Sequence, residues 1–142
     1  MNDGTAIIKV VGSGELTGDD KITTIAPGRI YTKNDSRYIL YEIEDENENH
    51  LIVKYLLKLT GNSLEMTKTV MGRKTKIVYS PGQATETEYN SPFGSLLLTF
   101  RTTAFYITEK EDFLTMQLKY KICMGEDVLS KNELFIEIKN QE

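Results

Sequence analysis

From Leu114 to Met124 the chain alternates without a break: Leu114, Met116, Leu118, Tyr120, Ile122 and Met124 on one side, Thr115, Gln117, Lys119, Lys121 and Cys123 on the other. Side chains repeat every two residues along a strand and every 3.6 along a helix. A segment with this pattern can therefore bury one face only as a strand. The preceding segment does the same, with Leu96, Leu98, Phe100, Thr102, Ala104 and Tyr106 on one face and Leu97, Thr99, Arg101, Thr103 and Phe105 on the other. Pairing the two as a hairpin sets Tyr106 opposite Leu114 and Phe100 opposite Tyr120, so that inward residues meet inward residues.

Turn chemistry supplies further hairpins. Gly61-Asn62 reads as a two-residue hairpin loop, since both residues tolerate positive φ. It places Leu59 on Leu64, Leu57 on Met66, Tyr55 on Lys68 and Val53 on Val70. Gly72-Arg73 turns the next hairpin, with Val70 on Thr75 and Met66 on Tyr79. Ser80-Pro81-Gly82-Gln83 has Pro and Gly where a type II turn wants them. That turn fits strand twist poorly, so a bulge is expected there, bringing Thr85, Thr87 and Tyr89 inward. Asn34-Asp35-Ser36 and the segment from Asp45 to His50 give two further loops.

Charge settles the face of the strand at residues 37–44. Ile39, Tyr41 and Ile43 go in, because the other choice buries Glu42 unpaired, at a cost of about several kcal/mol. The chosen face puts Glu42 across from Lys54 in water, where such a pair contributes only about 0.2–1 kcal/mol.

About ten strands follow one another as an up-and-down meander. Residues 96–108 and 113–124 would each span on the order of 40 Å at ~3.3 Å per residue. A compact domain of this length has a radius of gyration of roughly 14–15 Å. Strands that cross the whole molecule must coil, which favours a closed barrel of about eight to ten strands over two flat sheets. With 142 residues, one domain is the expectation, residues 1–142 forming a single all-β barrel. The lone cysteine excludes a disulfide framework and any multi-cysteine zinc site. The opening MNDGTAIIKVVG does not make a signal peptide, and no apolar run reaches the ~18 residues of a membrane span. A cytoplasmic, acidic protein of net charge −4 is expected.

Gly28-Arg29-Ile30-Tyr31, then Tyr38 and Tyr41, then Tyr89-Asn90-Ser91-Pro92-Phe93-Gly94-Ser95-Leu96 and Thr102 resemble the YwiB-like bacterial proteins. These are small lipocalin-like (calycin-like) β-barrels without an assigned biochemical activity. The resemblance covers roughly residues 27 to 108 and implies a barrel but no reaction. It departs near residue 70, where the family shows an Arg closely followed by Gly. Here the segment is Thr67-Lys68-Thr69-Val70-Met71-Gly72, and Lys68 is the nearest cation.

Lys68 falls on the same strand face as Leu64, Met66 and Val70. A charged amine inside an apolar barrel needs a partner or loses its proton. It would receive an anionic head group while apolar residues hold a tail; near a barrel mouth it would instead snorkel to water. Tyr41, Tyr55, Tyr79, Tyr89, Tyr106 and Tyr120 all fall inward, and their hydroxyls could line a cavity or simply fill space. The ligand-binding set read from the sequence is therefore Lys68, Tyr41, Tyr55, Tyr79, Phe100 and Tyr120, for a small apolar or anionic molecule.

Other constellations fail on spacing or exposure. Val11 to Gly18 spaces its glycines as G-x-G-x-x-x-G, one residue too long for a dinucleotide loop, and no helix follows. Asp45-Glu46-Asn47-Glu48-Asn49 begins like a calcium loop, but His50 stands where glycine is needed and Leu56 where the bidentate Glu belongs. His50 is the only histidine and has no nucleophile motif beside it. Cys123 falls on the outward face as a surface thiol. Glu86 and Glu88 lie about 7 Å apart along one strand at ~3.3–3.4 Å per residue, within reach of glycosidase geometry, but on the polar face, without the burial that a general acid needs. Arg73, Lys74 and Lys76 join Lys68 in a basic run without exposed aromatics, which argues against nucleic acid. No catalytic residue, metal site or cofactor is read. The competing reading is an interaction module or homodimer, built on Phe93, Phe105 and Phe135 as one exposed patch.

Overall fold

The computed structural model describes residues 1–14, 21–45, 50–91 and 94–141, without the side chains of residues 89–91. All regular structure in it is β, in ten strands. They are β1 (Gly4–Gly14), β2 (Ile22–Lys33), β3 (Ser36–Asp45), β4 (Leu51–Thr60), β5 (Ser63–Val70), β6 (Arg73–Tyr79), β7 (Ala84–Ser91), β8 (Gly94–Glu109), β9 (Phe113–Met124) and β10 (Asp127–Asn140). No helix among the described residues is long and apolar enough to cross a membrane.

One antiparallel sheet holds all ten strands in the order β6-β5-β4-β3-β2-β1-β10-β9-β8-β7. Each strand pairs with its chain neighbours, except that β1 pairs with β10 and no ladder joins β6 to β7. The meander therefore curls into a nearly closed barrel whose seam lies between β6 and β7. Those two strands pack together across the seam. Thr87 Oγ1 of β7 donates a hydrogen bond to the Lys76 carbonyl of β6, at 3.0 Å.

The alternation drives this closure. Ile8, Ile39, Leu57, Leu64, Leu114, Met116, Leu118, Ile136 and Ile138 are all fully buried in one continuous core. At about 25 cal/mol per Å² of apolar surface, each such side chain contributes about 1.5–3 kcal/mol relative to exposure. Their polar neighbours in sequence face water. Glu42 meets Lys54 outside the barrel, 3.9 Å away, while Ile39 and Tyr41 are buried.

The Gly61-Asn62 loop forms with the expected register, Leu59 on Leu64 through Val53 on Val70. Only Gly61 takes a positive φ, of 58°, as a type II′ turn requires. The next hairpin differs. Its turn is Met71-Gly72, with φ of 50° and 77°, so Val70 pairs with Arg73, Lys68 with Thr75 and Leu64 with Tyr79. A type I′ turn needs φ > 0 at both central positions and matches strand twist. That fit outweighs the poor suitability of Met for such a φ. The register is two residues from the expected one, which leaves every side chain on its expected face.

Ser80–Gln83 does form a type II turn. Gln83 N donates to Ser80 O at 3.0 Å, and Gly82 has φ 73°. It does not make a hairpin, because a type II turn splays the strands it joins. The segment instead bonds to β8, with Gly82 N donating to Thr102 O at 3.1 Å. Thr87 is buried and Thr85 half-buried; the Tyr89 side chain lies outside those described.

The β8–β9 hairpin is the main correction. Phe100 pairs with Ile122 and Thr102 with Tyr120, then the register shifts between Thr102 and Ala104. One extra residue in a strand exchanges its two faces beyond that point. Phe105 and Ile107 consequently pack on the core, and Tyr106 turns outward at 63% exposure. Cys123 is also corrected: flanked by Thr99 and Val128 on the adjacent strands, it is 2% exposed and is no surface thiol.

Candidate functional site

The barrel is filled at one end and not at the other. The filled half lies toward the turns at Asn34-Asp35 and Gly61-Asn62. One inward position further along each strand, toward the turns at Met71-Gly72 and Gly125-Glu126, the side chains change character. Ile8 gives way to Val10, Ile39 to Tyr41 and Ile43, Leu57 to Tyr55, Leu64 to Met66, Leu118 to Tyr120, and Ile136 to Leu134. These residues, with Thr24 and Tyr79, line a cavity of about 190 Å³.

Four of its walls are tyrosines. Tyr41 and Tyr55 are directly paired on β3 and β4, and their rings stack with centroids 4.8 Å apart and planes 9° from parallel. Tyr79 and Tyr120 meet edge to face, 4.9 Å apart, and their hydroxyls are hydrogen-bonded. Phe100 backs both, with its ring 6.3 Å from Tyr79 and 6.0 Å from Tyr120. Because Tyr79 comes from β6 and Phe100 from β8, this aromatic cluster spans the seam.

The lining is uncharged. Burial holds the Tyr41 phenol well above its ordinary value, and the neighbouring Tyr55 raises it further. Burial also raises Tyr55. Tyr79 is pushed up by burial first, then by Tyr120 and the hydrogen bond to it. For Tyr120, burial raises the value against a lowering by that same hydrogen bond. All four therefore stand as neutral hydroxyls at physiological pH. No charged side chain lines the cavity among the described residues. Thr102, whose register partner is Tyr120, is 3% exposed, and its hydroxyl makes no hydrogen bond within the chain.

Of the six residues read from the sequence as ligand-binding, Tyr41, Tyr55, Tyr79 and Tyr120 are brought together around this cavity, and Phe100 packs behind two of them. Lys68 is not among the lining residues. It pairs with Tyr55 and Thr75 at the rim, and its side chain is exposed, as a long amine near a barrel mouth allows. A cation that sequence reasoning passed over sits at the other end. Arg37 shares the inward face of β3 with Ile39 and Tyr41, and it pairs with Glu109 of β8. Its parity in the strand at residues 37–44 was the available signal.

The remaining candidates are placed by the fold. His50 is exposed and lies 2.8 Å from Glu44. Glu86 and Glu88 are exposed on β7, as are Arg73, Lys74 and Lys76 on β6. Lys76 pairs with Glu65 at 2.9 Å. The calcium-like segment falls largely on residues 46–49 and the glycine-rich one partly on residues 15–18, outside those described. The phenylalanine patch does not assemble as expected. Phe105 packs inward beside Leu118, Phe135 pairs with Val11 and Gln117 on the opposite face of the wall, and Phe93 lies outside the described residues. A wider depression of about 440 Å³ runs beside the bulge at Thr103, between Lys119, Lys121, Lys131 and Glu133. Its charged walls are largely exposed to solvent.

Comparison with known proteins supports the architecture. The family described as "Domain of unknown function (DUF1934)" matches residues 8–136. Among solved structures, the crystal structure of the ywiB protein from Bacillus subtilis is similar, with a TM-score of 0.81 and 18% sequence identity over 99% of this chain and 94% of that one. At that identity the likeness speaks for the fold alone. No curated protein matches the chain.

Proposed function

The chain belongs to the DUF1934 family, whose description carries no activity, and on that premise we propose that it is a non-catalytic barrel that binds a small, largely apolar molecule in its lumen. The observation that carries this reading is the abrupt change from a solid aliphatic core to a tyrosine-lined cavity within one barrel. A chain selected only for stability gains by filling such a space, since each lost contact costs packing energy. Tyr41, Tyr55, Tyr79 and Tyr120 would hold the molecule, with Phe100 fixing the last two. Hydrophobic walls with a few hydroxyls are the usual composition of a small-molecule site.

A catalytic role finds less support. Among the described residues no three His, Cys, Asp or Glu side chains cluster as a metal site would need, and the only ionisable groups at the cavity are phenols kept protonated by burial. Native mass spectrometry of protein purified from its source cells tests the binding reading. A bound mass, or a rise in melting temperature with one member of a metabolite panel, is the expected result. An invariably empty protein with no melting shift across the panel would contradict it.

A further inference from the structure

We propose that the molecule taken up by the lumen is an uncharged aromatic compound of single-ring size with one hydrogen-bonding substituent, and that carboxylates and ammonium ions are excluded. This rests on the reading of the lumen as a ligand site and adds its chemical class.

Size comes first. An apolar cavity of roughly 150 Å³ takes up benzene, whereas sites for drug-sized ligands begin near about 300 Å³. At about 190 Å³ the lumen holds one ring and a small substituent. Shape comes next. The stacked pair Tyr41–Tyr55 and the edge-to-face pair Tyr79–Tyr120 present flat faces and ring edges, against which a planar molecule stacks or meets edge-on. The phenolic hydroxyls and Thr24 at the cavity offer neutral donors and acceptors for a single polar group.

Charge is decided by what the walls lack. An anion placed among these residues would be desolvated with no cation beside it. The nearest cation read from the sequence, Lys68, stays in water at the rim, where an ion pair adds little. A cationic ligand would need ring faces turned toward it, yet Tyr41 and Tyr55 spend one face each on the other.

Benzamide, benzoate and benzamidinium share one ring and one planar substituent and differ in charge, so they separate these cases. Each is titrated into the full chain while the ring signals of its tyrosines are followed by NMR. Benzamide is expected to shift Tyr41, Tyr55, Tyr79 and Tyr120, to leave the outward Tyr31 and Tyr106 in place, and to bind at least about tenfold more tightly than either ion, a modest demand given the cost of burying an unpaired charge. If benzoate or benzamidinium binds the lumen as tightly or more so, the charge assignment is overturned while the lumen remains a ligand site. If none of the three moves the lumen rings, both the assignment and the binding reading fall.

Discussion

Gly28 stands where two strands close on a third. A methyl group there would run into the Leu40 carbonyl of β3 and the Ile8 side chain of β1. The carbonyl belongs to the sheet and cannot swing aside as a side chain would. Gly28→Ala should therefore destabilise the protein by about 1–3 kcal/mol, the usual cost of overpacking, seen as a lower urea midpoint with unchanged slope. An unaltered midpoint would mean that β2 and β3 are further apart than described. Lys68 illustrates the opposite situation. Its position on the inward face follows from parity with Leu64 and Met66, but parity carries no information about height along the barrel. Height decides whether an inward lysine is buried or, as here, reaches water. Arg37, by contrast, was as legible as Ile39 and Tyr41, since it shares their face.

Among the elements, the turns divide by chemistry. Gly61-Asn62 announces its hairpin because glycine at the first central position is what a type II′ turn demands. Met71-Gly72 does not, since methionine adopts φ > 0 only at a cost of roughly 1–2 kcal/mol. The side chain is 79% exposed, so little burial compensates for that strain. Met71→Asn should raise stability by about 0.5–1 kcal/mol, asparagine being favoured in type I′ turns, with the gain read from the urea midpoint. A loss instead would show that Met71 makes a contact that its exposure hides. The bulge in β8 was illegible for another reason. Thr102-Thr103-Ala104 continues the alternation without interruption, and only the pairing with β9 shows that one residue is surplus. Everything beyond it changes face, so Phe105 goes in and Tyr106 comes out. The four cavity tyrosines lie on strands or strand segments where no bulge intervenes. Alternation alone was enough to place them.

At the scale of the whole molecule, ten paired strands around a partly filled interior produce a lumen in which the rings of Tyr41 and Tyr79 are buried and those of Tyr55 and Tyr120 half-buried. The native state holds the protons of Tyr41, Tyr55, Tyr79 and Tyr120 above the ordinary tyrosine value, while an unfolded chain releases them near about pH 10. Their contribution to stability is accordingly complete below that pH and declines as the pH rises through the folded values. The seam between β6 and β7 is held by side-chain packing and the Thr87–Lys76 bond rather than a ladder. The most direct test is an NMR pH titration of ring-labelled tyrosines, native and in concentrated urea. Tyr41, Tyr55, Tyr79 and Tyr120 should ionise at distinctly higher pH in the native protein than in urea. If all four ionise at the same pH in both states, the lumen is open to water and the account of a shielded binding cavity is wrong.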